Sequence, residues 1–292
     1  MLREMADLGF ATVELSHGIR LTLVPGILKA VGEGWVRVTS THNFCPLPTG
    51  ITRAAPNLYQ PSGPTEAERE MWVRQTERSI DFAAEVGARA LVVHLGSVGY
   101  RWFHPGRRLR AWRDRHPGRI PAEDAGYRRR LARAEVRRRR NEPEWRSRMI
   151  ASVLRVAERA RSRGIVLGFE NRERWEELPR DDDFAALFAE LPAGFPAGSW
   201  FDCGHAQIKQ DFGLMEPEAW LRQEAGRLIG FHLHDVDDQG RDHRAVGLGR
   251  VDFARIAPYV RPESTVVLEL GPDVAASDVV ASRERLQAFG IG

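Results

Sequence analysis

The sequence predicts an α/β protein of the TIM-type (β/α) barrel class, and three observations predict it. Seven short apolar runs alternate with helix-like stretches along almost the whole chain, the pattern of a parallel sheet with crossover helices. The length of 292 residues suits one large domain of this kind, because α/β barrels of about 250 residues are routine. Near the end of every run after the first stands a side chain able to bind a divalent metal, and in such sheets the reactive groups gather where the strands' carboxyl ends meet.

Each element has its own signal. LREMADLG starts the chain as a helix that Gly9 ends at a C-cap, and ATVELS, carrying Glu14, follows as a strand. A helix over 24–32 leads to the strand VRVTSTH, which ends in His42. Residues 43–64 hold Pro46, Pro48, Pro56, Pro61 and Pro64 among Gly, Asn and Ser, and are read as a long loop above the barrel mouth. Pro64 suits the first turn of a helix running to about Val86, with Met71, Trp72, Ile80, Phe82 and Ala83 on its apolar face and Gly87 as its stop. The strand ALVVH ends in His94. Residues 97–143 then interrupt the rhythm; they include Trp102, Phe103 and Trp112, and from about Pro121 to Arg140 they read as a polar helix.

A helix near 144–163, stopped by Gly164, restores the alternation. It is followed by strand IVLGFE, a helix near 181–190, strand SWFD, a helix near 216–226, strand LIGFHLHD, a short helix near 252–258, strand TVVLEL and a terminal helix near 275–288. Seven strands are one short of a closed eight-stranded barrel, and the absent one belongs at the N-terminus. Two sheet edges then stay unpaired, which invites covering by a loop or pairing with another copy as a homo-oligomer.

Composition narrows the partners. Cys45 and Cys203 make no disulfide framework, no N-terminal segment has the form of a signal peptide, and no run of about 18 apolar residues is present to span a bilayer. The expectation is a soluble cytoplasmic protein without a membrane partner. Charge is strongly segregated: residues 100–148 hold 17 arginines against 6 acidic residues, a net +11, which leaves −8 for the rest of a chain whose formal charge is +3. Such runs are most often solvated helix faces, and they also attract phosphates and nucleic acid. The segment's polarity leaves little apolar surface for a core. The expected organisation is therefore a single domain over 1–292, with 97–143 as an Arg-rich insertion that acts as a lid or phosphate-binding element and can be removed without loss of the fold.

Glu170, Asp202, His232 and Glu269 make the most economical metal site, one ligand from each of four successive strands. Carboxylate oxygens mixed with imidazole nitrogen suit Mn²⁺, Zn²⁺, Co²⁺ or Fe²⁺, whereas an all-oxygen set favours Mg²⁺ or Ca²⁺. In FDCGH the chain turns through Gly204, so that Asp202 and His205 face one pocket and His205 binds either metal or substrate. In HLHD, alternation points His232 and His234 to the same side; His232 is assigned to the metal, and His234 and Asp235 to orienting it. His243 lies in DHRAVGLG, where Gly247 and Gly249 let the backbone approach a ligand closely.

The blocks FEN, DCGH, HLHD followed by DHRAVGLG, and LEL, in order between Glu14 and Glu269, resemble the xylose isomerase-like barrel superfamily, which holds sugar and sugar-phosphate isomerases and epimerases as well as endonuclease IV. The resemblance implies a metal on Glu170, Asp202, His232 and Glu269, with Glu170 and Glu269 as the acid/base pair and His205 as a substrate contact. It also implies additional metal or substrate-binding roles for His42, His94, His205 and His243, which match the further histidines of the endonuclease's three-zinc site. That pattern expects an aspartate where Arg241 stands, next to Asp242, and a cation there disfavours a third metal.

Two enzyme classes compete. The first is a divalent-metal-dependent sugar or sugar-phosphate isomerase or epimerase, in which two glutamates move a proton through a metal-stabilised enediolate. The alternative is an endonuclease IV-like phosphodiesterase acting at abasic sites, with nucleic acid as the partner; the retained histidines and the basic segment favour it, and Arg241 opposes it. A barrel without catalysis is disfavoured because the ligands and acid/base groups are intact.

Overall fold

The computed structural model describes residues 1–101 and 103–292, so Trp102, named above with the Arg-rich stretch, lies outside the described residues. In chain order the elements are α1 (Leu2–Asp7), β1 (Thr12–Leu15), α2 (Val24–Gly32), β2 (Arg37–His42), α3 (Glu66–Glu85), β3 (Ala90–Val93), α4 (Pro105–Arg115), α5 (Ala125–Arg163), β4 (Val166–Glu170), α6 (Phe184–Glu190), β5 (Ala197–Asp202), α7 (Cys203–Asp211), α8 (Pro217–Glu224), β6 (Leu228–Leu233), α9 (Phe253–Ile256), β7 (Thr265–Leu268) and α10 (Ala276–Ala288). The strands form one sheet in the order β1 to β7, and the pairs β1/β2, β2/β3, β3/β4, β5/β6 and β6/β7 are parallel. All seven expected strands are present.

Two compact units, interleaved in sequence, make up the chain. The first comprises Met1–Gly96, Ser147–Glu170 and Leu191–Gly198. Its β3 is buried along its whole length, as a strand covered on both faces must be, and Leu91, Val92 and Val93 sit beside Ile80 and Ala83 of α3 in the core. Thr65, rather than Pro64, starts α3: its hydroxyl accepts a hydrogen bond from the Glu68 amide at 3.2 Å, and Pro64 lies just outside the helix. Gly9, Gly87 and Gly164 end helices with φ of 85°, 76° and 66°, a region open to glycine at little cost.

The second unit comprises Ser97–Arg146, Asn171–Glu190 and Ser199–Gly292, and here two expectations fail. The predicted break between a helix ending near Arg140 and another starting at 144 is absent, because α5 runs unbroken through Pro143. Proline removes one backbone donor but does not force a stop when the flanking turns are anchored; Arg138, one turn before it, donates to the carbonyls of Trp175 and Glu177.

Nor is the Arg-rich segment too polar to build core. Leu109, Trp112, Tyr127 and Ala134 are buried together with Trp175, Ile208, Phe212 and Val236. Leu109 and Trp112 are three residues apart on α4, and Tyr127 and Ala134 are seven apart on α5, so each pair shares one helix face. Trp112→Ala is expected to cost about 3–5 kcal/mol, measured as a lowered urea midpoint. A loss below about 1 kcal/mol would show that the segment stands outside the core. Among the described residues, no helix is long and apolar enough to cross a membrane.

Candidate metal centre

In the second unit, strand register brings the ligand candidates together. Asp202 ends β5 directly beside His232 of β6, and the Glu269 amide, one residue past β7, donates to the Leu233 carbonyl at 3.1 Å. Asp202, His232 and Glu269 each bring a ligand atom within 4.8 Å of the others. His232 Nδ1 lies 3.1 Å from Glu269 Oε2 and 3.8 Å from Asp202 Oδ2. Ligands around an ion bound at about 2.1 Å stand roughly 3.4 Å apart in a tetrahedron, so these separations bracket the spacing a divalent ion requires. Asp202 and His232 are fully buried, whereas Glu269 is 23% exposed and is the member that reaches solvent.

Two sets of contacts hold Asp202 in place. Its backbone is clamped by Asn171, whose side chain accepts from the Asp202 amide at 2.7 Å and donates to the Asp202 carbonyl at 2.9 Å. Its carboxylate does two jobs. Oδ1 caps α7 by accepting from the His205 amide at 2.7 Å, and Oδ2 faces His234 Nε2 at 3.2 Å. The expected turn through Gly204 is thus the first turn of a helix. Gly204 is needed because a Cβ there would overlap the His234 ring. Gly204→Ala in a helix would ordinarily stabilise by nearly 1 kcal/mol; here a net loss of about 1–3 kcal/mol in thermal unfolding is expected, and a raised Tm would contradict the close packing.

Hydrogen bonding assigns the imidazole tautomers. The His243 amide donates to His234 Nδ1 at 2.9 Å, so the ring hydrogen sits on Nε2 and points at Asp202. His234 therefore orients Asp202 rather than His232. Although His234, His243 and Glu269 also bring ligand atoms within 4.8 Å, both His234 nitrogens are committed. Burial opposes charge on His243, but hydrogen bonding and charge from Asp242 at 3.0 Å and Glu269 at 3.7 Å outweigh it and push its pKa up to about 11. His205 Nδ1 donates to the Asn171 carbonyl at 3.0 Å, which leaves Nε2 as the acceptor nitrogen of the neutral ring.

Asp235 does not orient His232 either. Its buried carboxylate accepts from the amides of Val236 and Val251 at Oδ1 and of Gly247 and Gly249 at Oδ2, all within 3.0 Å, and so pins the loop that carries His243. A Cβ at Gly249 would overlap Asp235, so the close backbone approach expected of that glycine is to the protein's own carboxylate.

The first unit holds a group of its own. His42 ends β2, His94 follows β3 and Glu170 ends β4, with ligand atoms within 4.8 Å of one another. His94 Nε2 is 2.9 Å and His42 Nε2 4.0 Å from Glu170 Oε2. Both Nδ1 atoms point away, to the Asn43 carbonyl at 3.1 Å for His42 and to Asn57 Oδ1 at 2.9 Å for His94, so in the neutral rings Nε2 is the lone-pair nitrogen on the side of Glu170. Glu14 accepts from Ser40 Oγ at 2.7 Å. His17, which the sequence analysis passed over, sets its ring edge-on to His42 at 4.7 Å. Its signal was its place just after the first strand, as with the other histidines. Asn171 was quoted only as part of FEN, and nothing in the sequence separates a backbone clamp from a loop asparagine.

The family model described as xylose isomerase-like TIM barrel matches residues 2–270, and the chain belongs to this family. Its fold is accordingly a TIM-type α/β barrel. No curated protein matches the chain in sequence. Among solved structures, a D-tagatose 3-epimerase-like protein is similar at 17% identity, with 98% of this chain and 90% of that one covered and a TM-score of 0.69. A 3-keto-D-glucoside 4-epimerase from E. coli is similar at 17% identity, covering 98% and 92%, with a TM-score of 0.65. A D-psicose 3-epimerase from Clostridium cellulolyticum, solved with D-tagatose, is similar at 12% identity, covering 100% and 93%, with a TM-score of 0.64.

Proposed function

We propose that the protein is a divalent-metal-dependent isomerase or epimerase of a sugar or sugar phosphate, with Glu170 and Glu269 exchanging the substrate proton. The convergence of Asp202, His232 and Glu269 carries this reading. A divalent ion between them would stabilise two carboxylates directed at one buried imidazole, and the mixed oxygen and nitrogen donors suit Mn²⁺, Zn²⁺, Co²⁺ or Fe²⁺. Glu170 is proposed as the fourth ligand, since it ends β4 as Asp202 ends β5. When bound, the ion supplies a Lewis acid for adjacent substrate oxygens.

The remaining chemistry falls to side chains. One glutamate takes the proton from the carbon beside the carbonyl. The other returns a proton, to the opposite face of that carbon in an epimerisation or to the neighbouring carbon in an isomerisation. Glu269 is partly exposed and held toward His232, which fits it for contact with an incoming substrate. His205, with Nε2 as acceptor, is proposed to bind a substrate hydroxyl. The names of the similarly folded epimerases support the substrate class. Elemental analysis of protein purified without chelator tests the reading: about one ion per chain is expected.

A second reading is supported by the His42, His94 and Glu170 group, which offers a further ion its ligands and fits a phosphodiesterase of the abasic-site type. Two or three ions per chain, together with cleavage of abasic-site DNA, would favour it.

A further inference from the structure

The arginines of α5 fall into two groups that are treated differently. Toward its C-terminal end they are matched to acids of α3: Arg155 makes a bidentate pair with Glu70 at 2.6 and 2.8 Å, and Arg159 and Arg163 share Asp81. Toward its N-terminal end the acids turn inward. Glu135 accepts from the Trp175 indole, and Glu142 pairs with the buried Arg138. Arg139 is exposed with no acidic partner among the described residues, and so, further round the helix, are Arg129, Arg130, Arg133, Arg137 and Arg140.

Spacing makes these five a stripe. At about 100° per residue they occupy an arc of roughly 100°, whose centre lies about 110° around the helix from that of the buried Tyr127, Ala134 and Arg138. From Arg129 to Arg140 the stripe is about 16 Å long, and Arg129, Arg133 and Arg137 follow one another at steps of about 6 Å. Like charges three and four residues apart destabilise a helix by about 0.2–0.5 kcal/mol per pair; Arg137 lies over the Tyr100 ring, 5.8 Å from its centroid.

We infer that this face of α5 docks the phosphate backbone of a nucleic acid, without reading bases. A regular line of arginines suits a linear array of phosphates, to which guanidinium donates in bidentate fashion. A lipid surface would require apolar anchors beside the charges, and Val136 is the exposed apolar side chain next to the stripe. None of these arginines is a candidate ligand, so the inference stands whichever reaction the candidate metal centre performs.

The test is binding of the full chain to a labelled 20-base-pair DNA duplex of arbitrary sequence, by anisotropy across a salt series. With four to five phosphates neutralised, affinity should fall about 150- to 500-fold between about 50 and 200 mM salt. The variant R129Q/R133Q/R137Q/R140Q should bind at least about 30-fold more weakly at the lower salt. R20Q/R37Q/R53Q/R261Q removes the same charge from exposed arginines elsewhere and should change affinity by less than about 3-fold. Circular dichroism of both variants should match the native chain, because the stripe has no acidic partner to lose and Arg137 gives up only its contact over the Tyr100 ring, 5.8 Å away. Equal weakening by the two variants would reduce the effect to net charge and overturn the inference. So would tighter binding, charge for charge, to polyglutamate or to vesicles containing anionic phospholipid than to DNA.

Discussion

Glu269→Gln is expected to lower kcat by about 10²- to 10⁴-fold while the substrate still binds. The amide keeps an oxygen donor toward His232 Nδ1, 3.1 Å from the native carboxylate, but it cannot accept a proton. The loss should therefore fall on kcat with KM changed little, and deuterium exchange at the reacting carbon should vanish with turnover. If Glu269 serves only to hold the metal, the Gln variant will lose metal and activity together, and added metal will restore both. Activity within about 10-fold of native in the metal-loaded variant would remove Glu269 from the proton transfer.

Asp202 offers the second large effect, because one carboxylate carries a structural and a chemical role. Asp202→Asn keeps an oxygen to cap α7 through the His205 amide, whereas Asp202→Ala deletes the cap and leaves His234 Nε2–H facing an empty space. Metal content should fall to a small fraction of native in both variants. Stability should separate them: the Ala variant should lose about 1–3 kcal/mol more, from the absent cap and the unsatisfied buried donor. Full metal occupancy in Asp202→Asn would show that the ion, if any, sits elsewhere.

The strands and the ligand candidates at their ends were legible because a buried parallel strand writes itself as an apolar run, and a polar side chain at its end stands out against that run. The same contrast hid α7. Asp202 reads as a ligand, and Gly204 as a turn, whereas Asp202 is also the N-cap and Gly204 makes room for the His234 ring. Along 97–143 the density of arginine masked the apolar face, although Leu109, Trp112, Tyr127 and Ala134 stand at helical spacing. The break expected between Arg140 and 144 falls at Pro143, where α5 runs on, anchored one turn earlier by Arg138 on the Trp175 and Glu177 carbonyls. The roles of His234 and Asp235 were exchanged for a simpler one because hydrogen-bond direction has no sequence signature. Which amide donates to His234 Nδ1, and which four donate to Asp235, depends on how the 243–251 loop folds back.

Solvent deuterium uptake tests the central claim most directly. The native, metal-loaded protein is incubated in D₂O with a panel of ketoses and their phosphates, alongside a duplex containing an abasic site, and the sugars are analysed by NMR. Proton exchange between Glu170 and Glu269 predicts deuterium at the carbon beside the carbonyl of the preferred sugar, and an intact duplex even if that duplex is bound. Cleavage of the duplex with no deuterium in any sugar would contradict it.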